Sequence, residues 1–387
     1  MMIKIKPFYT AIIFYFFANL LFFVLAISDN TVTIEYETFY VDSFVLWSAL
    51  FIQNIALAFI VIIYLLFKNK KFKEVSLYGD YCGVFLLIWQ LFFLYLAFSS
   101  GLGVVGSENK VNQVLVVISN FLSADIFYIL MASSLKSNKL FFINTLIYLF
   151  STLIRGWIGG LVIVFFVYLC RVGYLKVTIK TFTFYFLFFI FMLVVSPFIV
   201  DFKIAARLGE DFELDFKNYG EKLEISLEYV LGRFQHIGHI AILLKHANEY
   251  RLLYDLNQIL PYWIEGIPQN FLYKYLGYRD LLTYSNMMAV RDFGAYSTDA
   301  WNANTGFGGW LILLREKSIL LFLYWIMLIF PLYMFLHKYG NKQTFSIVSI
   351  FTVIYLYHGW FGAFFNLILL VFIVVFLSKI KINKGKR

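Results

Sequence analysis

The chain has 387 residues, 61% of them hydrophobic and 21% aromatic, with a mean hydropathy of +0.78 and only 14% charged. Soluble domains carry about a quarter charged residues, so this composition excludes an ordinary soluble enzyme. Apolar runs of span length predict an all-α polytopic membrane protein. The formal net charge of +9 does not point to nucleic acid, because the basic residues lie in short loops between apolar runs and not on one folded face.

In chain order, Lys4 and Lys6 precede an apolar run over 8–27. It has the outline of a signal peptide, but many spans follow, so it is read as a retained anchor. Further runs lie near 43–67, 81–98, 114–133, 140–154, 156–170, 181–200, 318–336, 345–358 and 361–378, about ten transmembrane helices in all. The organisation expected is helices 1–7 within 1–200, a large loop domain over 201–317, and helices 8–10 with a basic tail over 318–387. Alternate connections hold 18 Lys and Arg, whereas the first opposite connection holds Asp29, Glu35, Glu37 and Asp42 with no Lys or Arg. The positive-inside rule then expects both termini in the cytoplasm. Cys82 and Cys170 fall in or at the end of apolar runs, which suits packing residues better than a disulfide or metal pair.

The loop over 201–317 carries 12 Lys and Arg against 15 Asp and Glu, and falls on the outer side. It is too long for a passive connector, so a mostly helical external domain is expected there, and function is sought in it. At 100° per residue, the stretch 221–250 reads as one amphipathic helix. Val230, Phe234, Ile237, Ala241 and Leu244 gather on one side; Arg233, His236, His239 and His246 gather on the other. Such a polar side suits solvent, or an anionic ligand with a histidine base. His236 and His239 do not make a zinc motif, since HExxH and loop cysteines are absent, and no metal or cofactor is expected.

Arg155 sits at an outer turn, Ile154-Arg155-Gly156-Trp157, between two apolar runs and has no acid beside it in sequence. It either snorkels to headgroups or offers a fixed cation to a lipid-linked phosphate. Arg251, Arg279 and Arg291 are spread among Tyr254, Tyr262, Trp263, Tyr273, Tyr284 and other aromatics, as in a carbohydrate groove or a layer packed on a membrane interface. Near Asp299 to Trp310, Asn304 or Thr305 can cap a short helix, and Asp299 can act on a hydroxyl.

Taken together, the Arg155 turn, a second loop arginine in Leu231-Gly232-Arg233-Phe234, and the polar short helix from Asn302 to Glu316 resemble the bacterial O-antigen polymerase and ligase superfamily. The likeness is greatest to its Wzy-type polymerases and covers roughly 140–336. Asn302 and Asn304 stand where that family often has His-Asn. The resemblance implies a glycosyltransferase of the bacterial inner membrane. It would move a growing glycan from undecaprenyl diphosphate onto the non-reducing end of another lipid-linked repeat on the periplasmic face, beside a chain-length regulator protein. It implies Arg155 and Arg233 as cations for the leaving diphosphate, and His236, His239 or Asp299 as base. Arg207, Arg251, Arg279, Arg291 and Asn304 are the substrate-binding candidates. Three readings compete: an O-antigen ligase; a polyprenyl-phosphate-sugar transferase using an acid of the first external loop; and a lipid-linked glycan transporter, for which Asp125 is the main buried charge.

Overall fold

The computed structural model describes residues 3–34, 37–72, 77–104, 112–155, 157, 159–208, 218–266, 269, 273, 275–277, 281–294 and 303–379. It is mostly helical. The first half holds α1 (Pro7–Asp29), α2 (Ser43–Phe67), α3 (Asp80–Ser100), α4 (Gln113–Phe121), α5 (Ala124–Ala132), α6 (Asn138–Ile154), α7 (Gly160–Val172) and α8 (Ile179–Leu208). Then come α9 (Tyr219–Phe234), α10 (Ile237–Lys245), α11 (Ala247–Asp255), α12 (Tyr284–Asp292) and α13 (Gly306–Leu314). Three helices close the order: α14 (Ser318–Tyr339), α15 (Lys342–His358) and α16 (Phe361–Leu377). Local chemistry sets several ends. Pro7 opens α1, where its missing N–H costs nothing, and Asn30 closes it in the left-handed region at φ 53°. The Asn341 side chain caps α15 by accepting from Thr344 N at 2.8 Å.

Two short antiparallel pairs and one bridge fix which connections share an end of the bundle. β1 (Ile3–Ile5) pairs with β4 (Leu175–Val177), Ile3 opposite Val177. Tyr78 bridges Leu135, and Ser134 Oγ bonds Asn341 Oδ1 at 3.1 Å. The start of α1 and the α2–α3, α5–α6, α7–α8 and α14–α15 connections therefore lie together at one end, which carries most of the basic residues outside 201–317. The hairpin of β2 (Thr31–Ile34) and β3 (Glu37–Tyr40), Arg155 and α9 to α13 are associated with the other end.

Among the described residues, five helical stretches are long and apolar enough to cross a membrane: Pro7–Asp29, Ser43–Phe67, Asp80–Ser100, Leu115–Ala132 and Gly306–Tyr339. Asn138–Ile154, Gly160–Val172 and Phe361–Leu377 are apolar but shorter. The run expected as one span over 114–133 is two helices, α4 and α5, with Leu122 and Ser123 between them, which places Asp125 in the first turn of α5. Cys82 and Cys170 are both buried and free, as packing residues are.

The single amphipathic helix expected over 221–250 is overturned, since the stretch is broken at Gln235–His236 and again at His246. The first break has a partner waiting for it: His236 N–H donates to Asn19 Oδ1 of α1 at 3.1 Å in place of a helical carbonyl. Ile237 to Leu243 are all buried, so α10 has no solvated face and the one-sided periodicity reading fails there. It packs along α2 and α13, and its apolar side chains join the same continuous core as α1, α2, α15 and α16. Gly238 faces Ile34, and Gly308 lies against Ile240 and Ile52. The outer segment thus enters the bundle at two elbows, one at 234–237 and one at 303–307.

Candidate functional site

The two elbows meet at a buried polar knot. His236 Nδ1 lies 3.2 Å from the Asn304 carbonyl oxygen, and His236 Nε2 lies 2.9 Å from Nδ1 of His358, the last residue of α15. His358 Nε2 lies 2.9 Å from the Tyr15 hydroxyl on α1. A carbonyl only accepts, so Nδ1 of His236 carries its proton. Burial lowers the His236 pKa to about 4, the Asn304 bond opposing this weakly, so the ring is neutral at pH 7 and Nε2 keeps a lone pair. His236 Nε2 can then only accept, so His358 Nδ1–H donates to His236 Nε2 and His236 Nδ1–H donates to Asn304, while His358 Nε2 bonds the Tyr15 hydroxyl. A nitrogen–nitrogen gap of 2.9 Å is a hydrogen bond and is too short to bracket a zinc ion, which needs about 2.0–2.1 Å on each side.

Close backbone approach makes the knot possible. Gly306 and Gly359 both have positive φ, at 65° and 76°. A Cβ on Gly306 would stand 2.7 Å from the Tyr357 carbonyl, and one on Gly359 would stand 2.9 Å from Gly306 N. Asn19 ties the knot to α1, donating from Nδ2 to the Tyr15 carbonyl at 2.6 Å and bonding the Tyr357 hydroxyl. Trp360 stacks on His358 at 4.5 Å and donates Nε1–H to Asn304 Oδ1 at 3.2 Å. Gln53 of α2 lies alongside Gly306 and Gly308, buried, with neither amide atom hydrogen-bonded among the described residues.

Arg155 is not a free cation. Its guanidinium grips Asp125 in a two-pronged bond, Nη1 to Oδ2 at 2.8 Å and Nη2 to Oδ1 at 2.6 Å, with the two side chains 13% and 18% exposed. Nε donates to Ser151 O at 3.1 Å, and the group lies 5.1 Å from the Trp157 ring. Tyr148 and Tyr355 are within electrostatic reach of Asp125, and the Tyr355 ring lies 6.3 Å from Trp360. Gly160, at the start of α7, sits against Thr152 of α6, where a Cβ would clash with Oγ1, so the glycine lets the two helices cross closely near Arg155.

The other expected residues are distributed as follows. His239 is buried with its ring 5.9 Å from that of His236. Arg251 turns its guanidinium onto the Ile312 carbonyl, at 3.1 and 2.8 Å, near the end of α13, where a cation also faces the helix dipole favourably. Arg291 pairs with Glu249 and lies over the Tyr250 ring. Thr305 stands at the start of α13, but its hydroxyl meets Ser285 Oγ at 3.2 Å and does not cap the helix. Arg207 lies in the last turn of α8 and Arg233 in the last turn of α9. Arg279 and Asp299 lie outside the described residues, as does Asn302.

Sequence reasoning missed His358, whose signal was a polar residue beside Gly359 at the end of an apolar run. It also missed that Asp125, read alone, belongs to Arg155. Glu265 was not singled out either; burial raises its carboxyl well above the usual range, and its carbonyl closes on Gly362 at the start of α16. Compared with family models, with curated proteins and with solved structures, the chain matches none.

Proposed function

We propose that the protein is a multi-pass membrane glycosyltransferase of the O-antigen polymerase type. In this reading it acts at the outer face of a bacterial inner membrane, with both termini in the cytoplasm. It transfers a growing oligosaccharide from undecaprenyl diphosphate to the non-reducing end of another lipid-linked repeat. One observation carries the reading. His236, two residues beyond the second loop helix, bonds the backbone of Asn304 at the start of the polar short helix, and the partner of Arg155, Asp125, lies within electrostatic reach of Tyr355 on the helix that supplies His358. Arg155, His236 and Asn304 lie in or just beside the three segments in which the sequence resembles that family, and they come from positions up to 149 residues apart.

The pairing of Asp125 with Arg155 also weighs against transport, because an isolated ionisable group in the bundle was the feature that favoured it. The Arg155–Asp125 pair is close to neutral, and each nitrogen of His236 and His358 in the knot is engaged. The knot's part is therefore to hold the two elbows in place on the bundle, while groups facing outward meet the substrates. The test is a gel of surface lipopolysaccharide from cells with and without the gene. Loss of the ladder to core carrying a single repeat supports polymerase. Loss of every repeat from the core, with long chains accumulating on the lipid carrier, overturns it in favour of ligase.

A further inference from the structure

A second titratable cluster lies outward of the knot, where α10, α11 and α12 meet. His246, between α10 and α11, places Nδ1 3.0 Å from Asp292 Oδ1. The Tyr250 hydroxyl donates to the other oxygen, Oδ2, at 2.5 Å. The Asp292 side chain is 2% exposed and that of His246 is 28% exposed, so the carboxylate is fixed beneath a ring that reaches the surface. An acceptor oxygen on Nδ1 sets the tautomer: the proton sits on Nδ1, and Nε2 keeps its lone pair. No described residue occupies Nε2 in the hydrogen bonds of this cluster. This is the arrangement of a base oriented by a third group, and it differs from His236 and His358, whose ring nitrogens are all engaged, in lying on a ring that reaches the surface.

The surroundings supply charge of the sign a leaving phosphate needs. Arg251 Nη1 and Arg315 Nη2 both donate to Asn248 Oδ1 at 3.2 Å. Their proximity, together with burial, depresses the Arg251 pKa, burial being the larger cause. Tyr284 of α12 lies within electrostatic reach of both Asp292 and Arg251, and its own hydroxyl is pushed up mainly by burial, which joins the two halves of the cluster. Further charged neighbours among the described residues are Lys245 at the end of α10, Glu249 of α11 and Arg291 of α12, the last two paired with each other, and Glu316, within electrostatic reach of Arg251.

We propose that His246, oriented by Asp292 and Tyr250, is the proton acceptor for the glycosyl transfer, with Arg251 and Arg315 as the adjacent cations. The proposal rests on the polymerase reading above. An acceptor sugar hydroxyl gives its proton to His246 Nε2 as its oxygen bonds the anomeric carbon of the donor. The bond from that carbon to the diphosphate breaks, its electron pair stays on the diphosphate oxygen, and Asp292 balances the imidazolium until the proton passes to water.

The experiment uses the full-length protein in membranes, supplied with lipid-linked single repeats extracted from cells lacking the gene. Chain growth is measured from pH 5 to pH 9 and divided by the amount of folded protein. His246→Gln is expected to lower the rate by about a hundredfold or more. Asp292→Asn is expected to lower it too and to change the acid limb of the profile. His246→Gln with the wild-type rate per folded protein and the wild-type profile overturns the proposal while leaving the polymerase reading standing. A wild-type protein that extends no repeat overturns that reading itself. A loss in His246→Gln that tracks folded protein alone, with the profile unchanged, assigns the cluster to tying α11 to α12 and also overturns the proposal.

Discussion

The bond between Arg155 and Asp125 gives the sharpest stability test. Removing either partner leaves one charge with 13% or 18% exposure and no counter-charge, and breaking a buried pair from one side costs about 3–5 kcal/mol. The residual exposure brings the expected cost to about 3 kcal/mol, roughly a 150-fold loss in the folded-to-unfolded ratio. Arg155→Met and Asp125→Leu should each show this loss, and both should lose the ladder because each leaves one unpaired, largely buried charge where α5 meets α6. The double variant removes both charges and should return to within about 1 kcal/mol of wild type, for a coupling of about 5 kcal/mol. The assay is thermal unfolding in detergent for the four proteins of the cycle, with ladder formation scored in parallel. Single effects that simply add, with coupling under about 0.5 kcal/mol, would refute the pairing as a stabilising contact. A well-folded double variant that makes no ladder would refute the positioning role and return the guanidinium to the substrate.

Further expectations rest on the knot, its glycines and the chemistry. His236 has a folded pKa near 4 against an ordinary 6.5, so the unfolded chain binds more protons between those values. Its contribution of about 3 kcal/mol is complete above pH 6.5 and is lost as pH falls toward 4. His236→Gln should flatten that part of a stability-against-pH curve measured by thermal unfolding. Gly359→Ala places a Cβ 2.9 Å from Gly306 N at φ 76°; the left-handed conformation alone costs about 1–2 kcal/mol, and lowered thermal stability with a shortened ladder should be seen. Arg251→Met leaves the Ile312 carbonyl without its two donors and should lower both stability and chain growth. Chelators added to the membrane assay should leave chain growth intact, and a strict metal requirement would sink a mechanism that relies on arginine cations.

How much of this was written in the sequence depends on the range of the interaction. Hydropathy is summed over neighbours, so spans such as Pro7–Asp29 and Ser43–Phe67 were legible, and charge asymmetry between connections gave an expected orientation. Periodicity failed over 221–250 because it assumes that one helix face meets water. The stretch instead breaks where Asn19, 217 positions earlier, accepts the His236 N–H. Nothing local to Gln235–His236 announces that partner. The run at 114–133 was legible as a span, and 115–132 is long and apolar enough to cross, but the interruption at Leu122–Ser123 lies inside a window that averages over it.

The same distinction explains why individual site residues were found while the site was not. Arg155 stood out by charge among apolar neighbours and Asp125 by the same test, yet each was given a separate meaning, one catalytic and one transport-related. Thirty positions separate them, and only the folding of α5 against α6 makes them one electrically neutral unit. The consequence is physical: a cation already held by a two-pronged carboxylate has little field left for a phosphate. His246 was the reverse case. On the expected helix it was one of four polar side chains on a shared face; once the helix breaks, it alone of the three histidines there keeps a path to solvent, with Asp292 from α12 fixing its proton. A base that works near neutral pH needs both access and an orienting partner. Access came from where α10 ends and the partner from 46 positions downstream, so neither could be read from the spacing of the histidines themselves.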